Sequence, residues 1–483
     1  MTPRLRRFPL LSCFVLIVTL SVFTGCSTNS SPNNGGGPTG NTDVTLLATS
    51  SANDQLFGFQ AQLQSLTLTN QAGTAVSFTP IPQNFIDYIH LNGETEPITT
   101  VSIPQGNYVS ATATIGSAQF ECAIDIPGTL DTSTFAYGQT PASQVAVSLP
   151  SPITVTGAAM GLSLAMQVSQ SATWAECYSP SGGIIPYTIT PTFNLTPVTF
   201  SNNPTNSSNG KLNNLAGIVN SVAAGGTPFT VTSADEQVLS FNTSATTTFQ
   251  GITAASALVS GMAVSIDANI QADGTVVAGR VSVPDTNTAS LRLTSGPLIQ
   301  VPSTTPILSI GSQEQQGALN AYIIGGQSFN FSASSFAISG AFTNLASLPF
   351  TPAFSAATMV AGQEVSVTSH DPTLVAPLNA TTVTLMPQTI NGTVTNISSS
   401  GNFTIYTVQL AAYDLFPDLA QQPVQKSILT TPNTVTVYAD QNTQQLISGT
   451  LAVGAVARFN GVIFNDSGTL RMDCAEIATG VKE

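Results

Sequence analysis

Apolar residues in this chain recur at every second position, and no ten-residue stretch sustains the 3.6-residue period of an amphipathic helix. Phe57, Phe59, Ala61 and Leu63 alternate with polar neighbours, and the phase then shifts to Leu66 and Leu68, as at a bulge. Val109, Ala111, Ala113 and Ile115 continue the pattern, followed by Phe120, Cys122, Ile124 and Ile126, then Val145, Val147 and Leu149, and Leu162, Leu164, Met166 and Val168. A period of two marks strands with one face on a core, and turn signals such as Asn92-Gly93, Pro104-Gln105-Gly106 and Ser181-Gly182-Gly183 punctuate them. The chain is therefore expected to be all-β, with an N-terminal antiparallel β-sandwich over residues 43–200.

Composition supports that reading and narrows the function. Only 7% of the residues are charged, 10 basic and 24 acidic, while 42% are hydrophobic. Apolar content on this scale can fill real cores, but so few Lys and Arg cannot neutralise a phosphate backbone, and no nucleic-acid partner is expected.

The first residues read as an address. Arg4, Arg6 and Arg7 precede an apolar run from Phe8 to Phe23, shorter than a membrane span and flanked like a secretory signal. The run ends in Val22-Phe23-Thr24-Gly25-Cys26, which resembles a bacterial lipobox, with Phe23 where Leu is usual. That resemblance implies a signal peptide over 1–25, lipidation of Cys26, and an uncharged Ser/Asn/Gly/Pro tether to residue 42. Ser27 after the cysteine implies sorting to the outer membrane in a cell with two membranes. Loss of the three arginines would leave a body with 7 basic and 24 acidic residues, soluble and repelled by anionic surfaces.

Within the first domain, Phe85-Ile86-Asp87-Tyr88-Ile89-His90-Leu91-Asn92-Gly93 and Val101-Ser102-Ile103-Pro104-Gln105-Gly106-Asn107-Tyr108 resemble an N-terminal domain of uncharacterised bacterial lipoproteins, distantly like transthyretin or carboxypeptidase-regulatory sandwiches. In that resemblance Gly106 makes a turn and Tyr108 packs beside it. A linker follows at 201–213, and beyond it the sequence repeats. Leu215 to Val222 aligns with Ile390 to Ile397, Phe229-Thr230-Val231 with Phe403-Thr404-Ile405, and Gly261 to Val264 with Gly454 to Ala457. The paired glycines lie 44 residues apart in the first unit (217 to 261) and 62 in the second (392 to 454), the surplus falling in a loop around Ala411 to Ser427. A degenerate middle copy is expected between Gly296 and Gly362. Hairpins are expected at Asp273-Gly274 and Asp466-Ser467-Gly468, where a type I′ turn needs positive φ at both central residues. These units resemble a family of small repeated OB-like β-domains of unknown function in exported bacterial proteins, implying two or three small barrel domains, over 214–286 and 388–483 with a degenerate copy over 287–387 between them.

Chemistry-bearing residues are scarce. Of two histidines, His90 reads as structural and His370 as a solvated turn residue. Glu94 and Glu96, Asp235-Glu236, and Asp414 with Asp418 read as solvated acids at turns, and Asp273 and Asp466 as hairpin residues. No nucleophile elbow, zinc signature or phosphate loop is present, so neither catalysis nor a metal or other cofactor is expected. Cys122 and Cys177 form either a disulfide or two buried thiols, and Cys474 follows Leu470 and Met472 as a core thiol. Trp174 is a core residue, or else a platform for stacking a sugar. The expected role is that of a non-enzymatic cell-envelope lipoprotein, anchored to the membrane by lipid and structural, adhesive or partner-binding, its partner an envelope protein or a glycan. The alternative is a carbohydrate-binding or polysaccharide-processing accessory.

Overall fold

The computed structural model describes residues 40–52, 54–80, 85–124, 134–140, 143–174, 187–233, 238–317, 326–372, 375–412, 414–419, 429–447 and 449–481, without the side chains of 122–124, 134–139, 173, 174 and 187. The signal, Cys26, Cys177 and the acids Asp235 and Glu236 lie outside these residues. No helix among them is long and apolar enough to cross a membrane.

The N-terminal domain is a sandwich. One sheet runs in the order Phe193–Val198, Ala159–Gln167, Asn41–Ser51, Glu96–Pro104. The other is built on the long pair Gly58–Asn70 and Gly106–Ile124, to which five short strands add. Most of the alternating residues named above fill a single core, with Leu46, Phe59, Leu66, Tyr108, Phe120 and Leu164 all buried; Val109 is exposed instead, Phe57 packs in a separate cluster with Ile299 and Leu415, and the side chains of Cys122, Ile124 and Ile126 lie outside the described ones. Tyr108 also donates its hydroxyl to the Pro104 carbonyl at 2.9 Å, pinning the turn at Gly106. The expectation of a purely antiparallel sandwich is corrected at one pair: Asn41–Ser51 runs parallel to Ala159–Gln167. Residues 44–48 of that central strand are buried without interruption, because its second face is covered too, and Leu47 belongs to the core of the next domain.

That next domain is a closed five-stranded barrel of Lys211–Val222, Phe229–Ser233, Val238–Gln250, Ala263–Ile270 and Val276–Asp285. Its ring order is first, second, third, fifth, fourth, with the third and fifth strands parallel and every other pair antiparallel. Strands Gln388–Ser400, Phe403–Gln409, Thr434–Gln445, Val456–Asp466 and Thr469–Thr479 repeat this order and these directions, in the manner of an OB-like barrel. Only the second of these barrels closes with the two-residue turn of the I′ pattern, Ser467 and Gly468 both having positive φ. The hairpin at Gln271–Thr275 instead has Gly274 alone at positive φ, because its loop is longer.

The middle segment carries the same five-strand ring. Arg292–Gln300, Ile307–Gly311, Gly326–Asn330, Glu364–Ser369 and Leu378–Leu385 pair in the same order, again with the third and fifth parallel. Two further strands, Glu314–Gly317 and Ser335–Ile338, are added to its first and fifth strands.

The repeated glycines now have a cause. In each ring the first glycine sits where strand one passes close to strand two. A Cβ on Gly217 would meet the Thr232 carbonyl oxygen at 2.7 Å, on Gly392 that of Gln409 at 2.5 Å, and on Gly296 that of Gly311 at 1.8 Å. The second glycine, at positive φ, turns the chain into strand four and donates its N–H back to strand one: Gly261 to Val219, Gly454 to Val394, Gly362 to Leu298, at 2.7–2.8 Å. The return bonds also repeat, Val219 to Met262, Val394 to Ala455 and Leu298 to Gln363.

The modules do not lie in a row. Gln313 Nε2 donates to the Phe57 carbonyl at 2.7 Å and Gln363 Nε2 to the Ile463 carbonyl at 2.8 Å, both buried, and the partly buried Arg458 Nη1 donates to Asn92 Oδ1 at 2.7 Å, so the sandwich, the middle ring and the third ring are joined by hydrogen bonds. Of the loop expected around Ala411 to Ser427, the described residues 411–412 and 414–419 form a wedge. Its short helix Leu415–Leu419 is mostly buried, Asp414 is fully buried, and the Leu415 N–H donates to the Asp54 carbonyl at 2.9 Å.

Candidate functional site

Where the sandwich and the rings meet, buried charge collects around His90. The strand Phe85–Asp87 ends in a turn that Asp87 organises, its Oδ1 accepting from the N–H groups of Ile89 and His90 at 2.8 and 3.3 Å. The turn continues through Asn92 and Gly93, the latter at positive φ, and leads into the strand Glu96–Pro104. It therefore presents His90, Glu94 and Glu96 toward the middle ring. From that ring come Glu314 and Glu364, each the first residue of a strand and each preceded by a glutamine whose side chain holds a neighbouring domain.

His90 Nε2 lies 3.3 Å from Glu314 Oε1, 3.6 Å from Glu96 Oε1 and 3.9 Å from Glu94 Oε2. Glu94, Glu96 and Glu314 are 3–6% exposed, which corrects the expectation that the first two are solvated turn acids. They are covered because Asn214 of the first ring, Glu314 and Glu364 of the second, and Leu415 and Phe416 of the wedge close over the turn. Together they enclose a cavity of about 50 Å³. Glu94 Oε1 accepts from Asn214 Nδ2 at 3.5 Å, but Glu94 Oε2, Glu96 Oε1, Glu314 Oε2, Glu364 Oε1 and His90 Nε2 have no hydrogen-bond partner.

Burial dominates the electrostatics. It pushes Glu94 up to about 8, with the His90 charge partly opposing, and raises Glu314 and Asp87 to about 7 and Glu364 well above the carboxylate range. Burial alone would lower His90, but Glu314, Glu96 and Glu94 outweigh it and hold the imidazole well above its usual range. Among the described residues the ion pairs of Glu94, Glu96 and Glu314 come from His90 alone. The atoms of His90, Glu96 and Glu314 all lie within 4.8 Å of one another, close enough to hold one cation.

The other residues singled out from the sequence lie elsewhere. His370 is not a solvated turn residue: Nδ1 bonds the Ala289 carbonyl and Nε2 the Asp285 carboxylate, both at 2.8 Å, tying the first ring to the second. Asp273 caps its own exposed turn through Thr275, and Asp466 pairs with Arg471 at 2.7 Å. Cys474 is a core thiol, 5% exposed. The backbone of Cys122 lies in the strand Gly106–Ile124, and that of Trp174 in a short pair with Tyr187. Arg280, the one basic side chain of residues 214–286, is buried and held by both oxygens of Asp267 at 2.8 Å.

Comparison with curated proteins finds no match to the chain. Residues 216–282 match the family described as Domain of unknown function (DUF5666). The stretch coincides with the first ring, so this is an all-β, multi-domain chain whose first barrel is similar to a domain of unknown function.

Proposed function

We propose that the protein is an exported, lipid-anchored component of the cell envelope with a structural, adhesive or partner-binding role, and not an enzyme. The observation that carries this reading is the use made of the buried polar groups. They join domain to domain, and the cavity where they collect, at about 50 Å³, is far below the roughly 300–1,000 Å³ that a small organic substrate occupies. The lipobox-like Val22 to Cys26 and the uncharged tether behind it supply the anchor in this reading. The test is metabolic labelling with an alkynyl fatty acid, followed by fractionation. Wild-type protein should carry the label and sediment with membranes, and Cys26→Ser should lose both. Unlabelled, freely soluble wild-type protein would refute the proposal.

A second reading, a carbohydrate-binding accessory, is favoured by a groove of about 550 Å³ between the sandwich and the third ring. It is lined by Ser51, Gln167, Ser169 and Gln170 beside Arg458, a set of hydroxyl, amide and guanidinium groups suited to sugar hydroxyls. Saturable binding on a glycan array that Gln170→Ala or Trp174→Ala abolishes would favour it, and a blank array would remove it.

A further inference from the structure

We propose that His90, Glu96 and Glu314 form a site for one divalent transition-metal ion of the zinc class, which fastens the sandwich to the middle ring. Three independent observations lead there. First, the geometry fits. His90 Nε2 stands 3.3 and 3.6 Å from the two carboxylate oxygens, and no ligand atom is farther than 4.8 Å from another. The in-plane point equidistant from three atoms so placed lies at most roughly 2.4 Å from each, within a few tenths of an ångström of the roughly 2.0–2.2 Å of zinc bonds to nitrogen and oxygen. Second, Glu314, 6% exposed and lining the cavity, keeps its second carboxylate oxygen, Oε2, buried without a hydrogen-bond partner, as does Glu364 with Oε1 on the same cavity. Buried polar atoms ordinarily find a donor, and a cation answers several at once. Third, the donor set is mixed. An imidazole nitrogen among carboxylates favours a borderline ion over Ca²⁺ or Mg²⁺, which take oxygen alone.

The surroundings suit such an ion. Glu94 Oε2, 3.9 Å from His90 Nε2, is a fourth candidate ligand, and the cavity of about 50 Å³ has room for the ion and a water or two. The ligands come from two domains, with His90 and Glu96 on the sandwich and Glu314 on the strand added to the middle ring. Binding would therefore draw together surfaces that the chain separates by more than two hundred residues.

The test uses the purified protein stripped with a chelator and titrated calorimetrically with Zn²⁺, Mn²⁺ and Ca²⁺ in separate runs. One Zn²⁺ or Mn²⁺ per chain is expected, with affinity lowered by roughly 100-fold or more in His90→Gln and in Glu314→Gln. Asp273→Asn, which removes an exposed hairpin acid of the first ring that is not part of the cluster, should bind as wild type does. Because a ligand variant can fail to fold, the wild-type protein provides a second readout. It has two histidines, so imidazole ¹³C labelling gives two signals, and Zn²⁺ should shift one of them. Stoichiometric binding with one shifted histidine supports the site. Absence of binding, preference for Ca²⁺, unchanged affinity in folded variants, or two unmoved histidine signals would overturn it.

Discussion

The glycine on the first strand of each ring carries a sharp energetic consequence, and Gly217 is the place to measure it. Its backbone is ordinary strand, so replacement by alanine brings no conformational strain, only a methyl group where there is no room. That methyl would lie 2.3 Å from Val231 Cγ1 and 2.7 Å from the Thr232 carbonyl oxygen. Neither neighbour can yield freely. Val231 is a core residue of the barrel, 3% exposed, and Thr232 is fixed by its ladder to Val238. Restoring van der Waals contact means prising strands one and two apart by most of an ångström in a closed ring. Overpacking of this kind costs about 2–3 kcal/mol. Since 1.4 kcal/mol is tenfold, amides in Lys211–Val222 and Phe229–Ser233 should exchange hydrogen about 30- to 150-fold faster than in wild type when opening is local. Gly279→Ala is the control. It lies on the fifth strand of the same ring, with its nearest neighbour, the Asp267 carbonyl oxygen, at an easy 3.6 Å. There alanine should be neutral or stabilise by about 0.5–1 kcal/mol. Exchange by mass spectrometry resolves the two strands. If Gly217→Ala exchanges like wild type, or if Gly279→Ala loses as much, close strand approach is not why the glycine recurs.

Two other groups make separate predictions. Burial raises Glu476 to about 7, with Arg458 partly opposing, so the folded state keeps a proton that the unfolded chain releases from about 4.5 upward; this contribution therefore weakens as pH rises through that interval, by roughly 2–3 kcal/mol. Urea unfolding at pH 5 and pH 8 should show wild type losing that much more than Glu476→Gln, and equal losses would refute the assignment. Burial likewise holds the Cys474 thiol well above its usual range, so iodoacetamide at pH 8 should leave it intact in folded protein and alkylate it fully in concentrated guanidinium, as read by mass mapping of the C-terminal peptide.

The strands were legible because period two survives burial on one face, and the rings because two glycines recur at functionally equivalent points. The middle copy was the harder one to read. Its glycines, 296 and 362, are in place, but an added strand on each side of the ring stretches their spacing to 66 residues and hides the match. The parallel pairing of Asn41–Ser51 with Ala159–Gln167 left no trace, since a strand alternates alike whichever way its neighbour runs. The burial of residues 44–48 on both faces depends on the first ring, whose core takes Leu47.

The cluster around His90 escaped for a related reason, and the repeat itself says why it stands out once seen. A turn rich in Glu is solvated unless something covers it, and what covers His90 to Glu96 arrives from 214, 314, 364 and 415, far along the chain. Yet the middle ring departs from its siblings at just this face. Glu364 stands two residues after the turn glycine, where the first ring has Ala263 and the third has Val456. Glu314 begins a strand with no counterpart among the described residues of either sibling ring. A barrel of this order evidently closes with alanine or valine at that position, so the acid is not needed to make the ring. In a chain with 24 carboxylates in 483 residues, placing two on the departures of one copy, facing two more and a histidine in a buried cluster, incurs the desolvation cost that ordinarily keeps acids at surfaces. A cation shared among them offsets that cost, which is why divergence within a repeat, rather than any motif, marks the site.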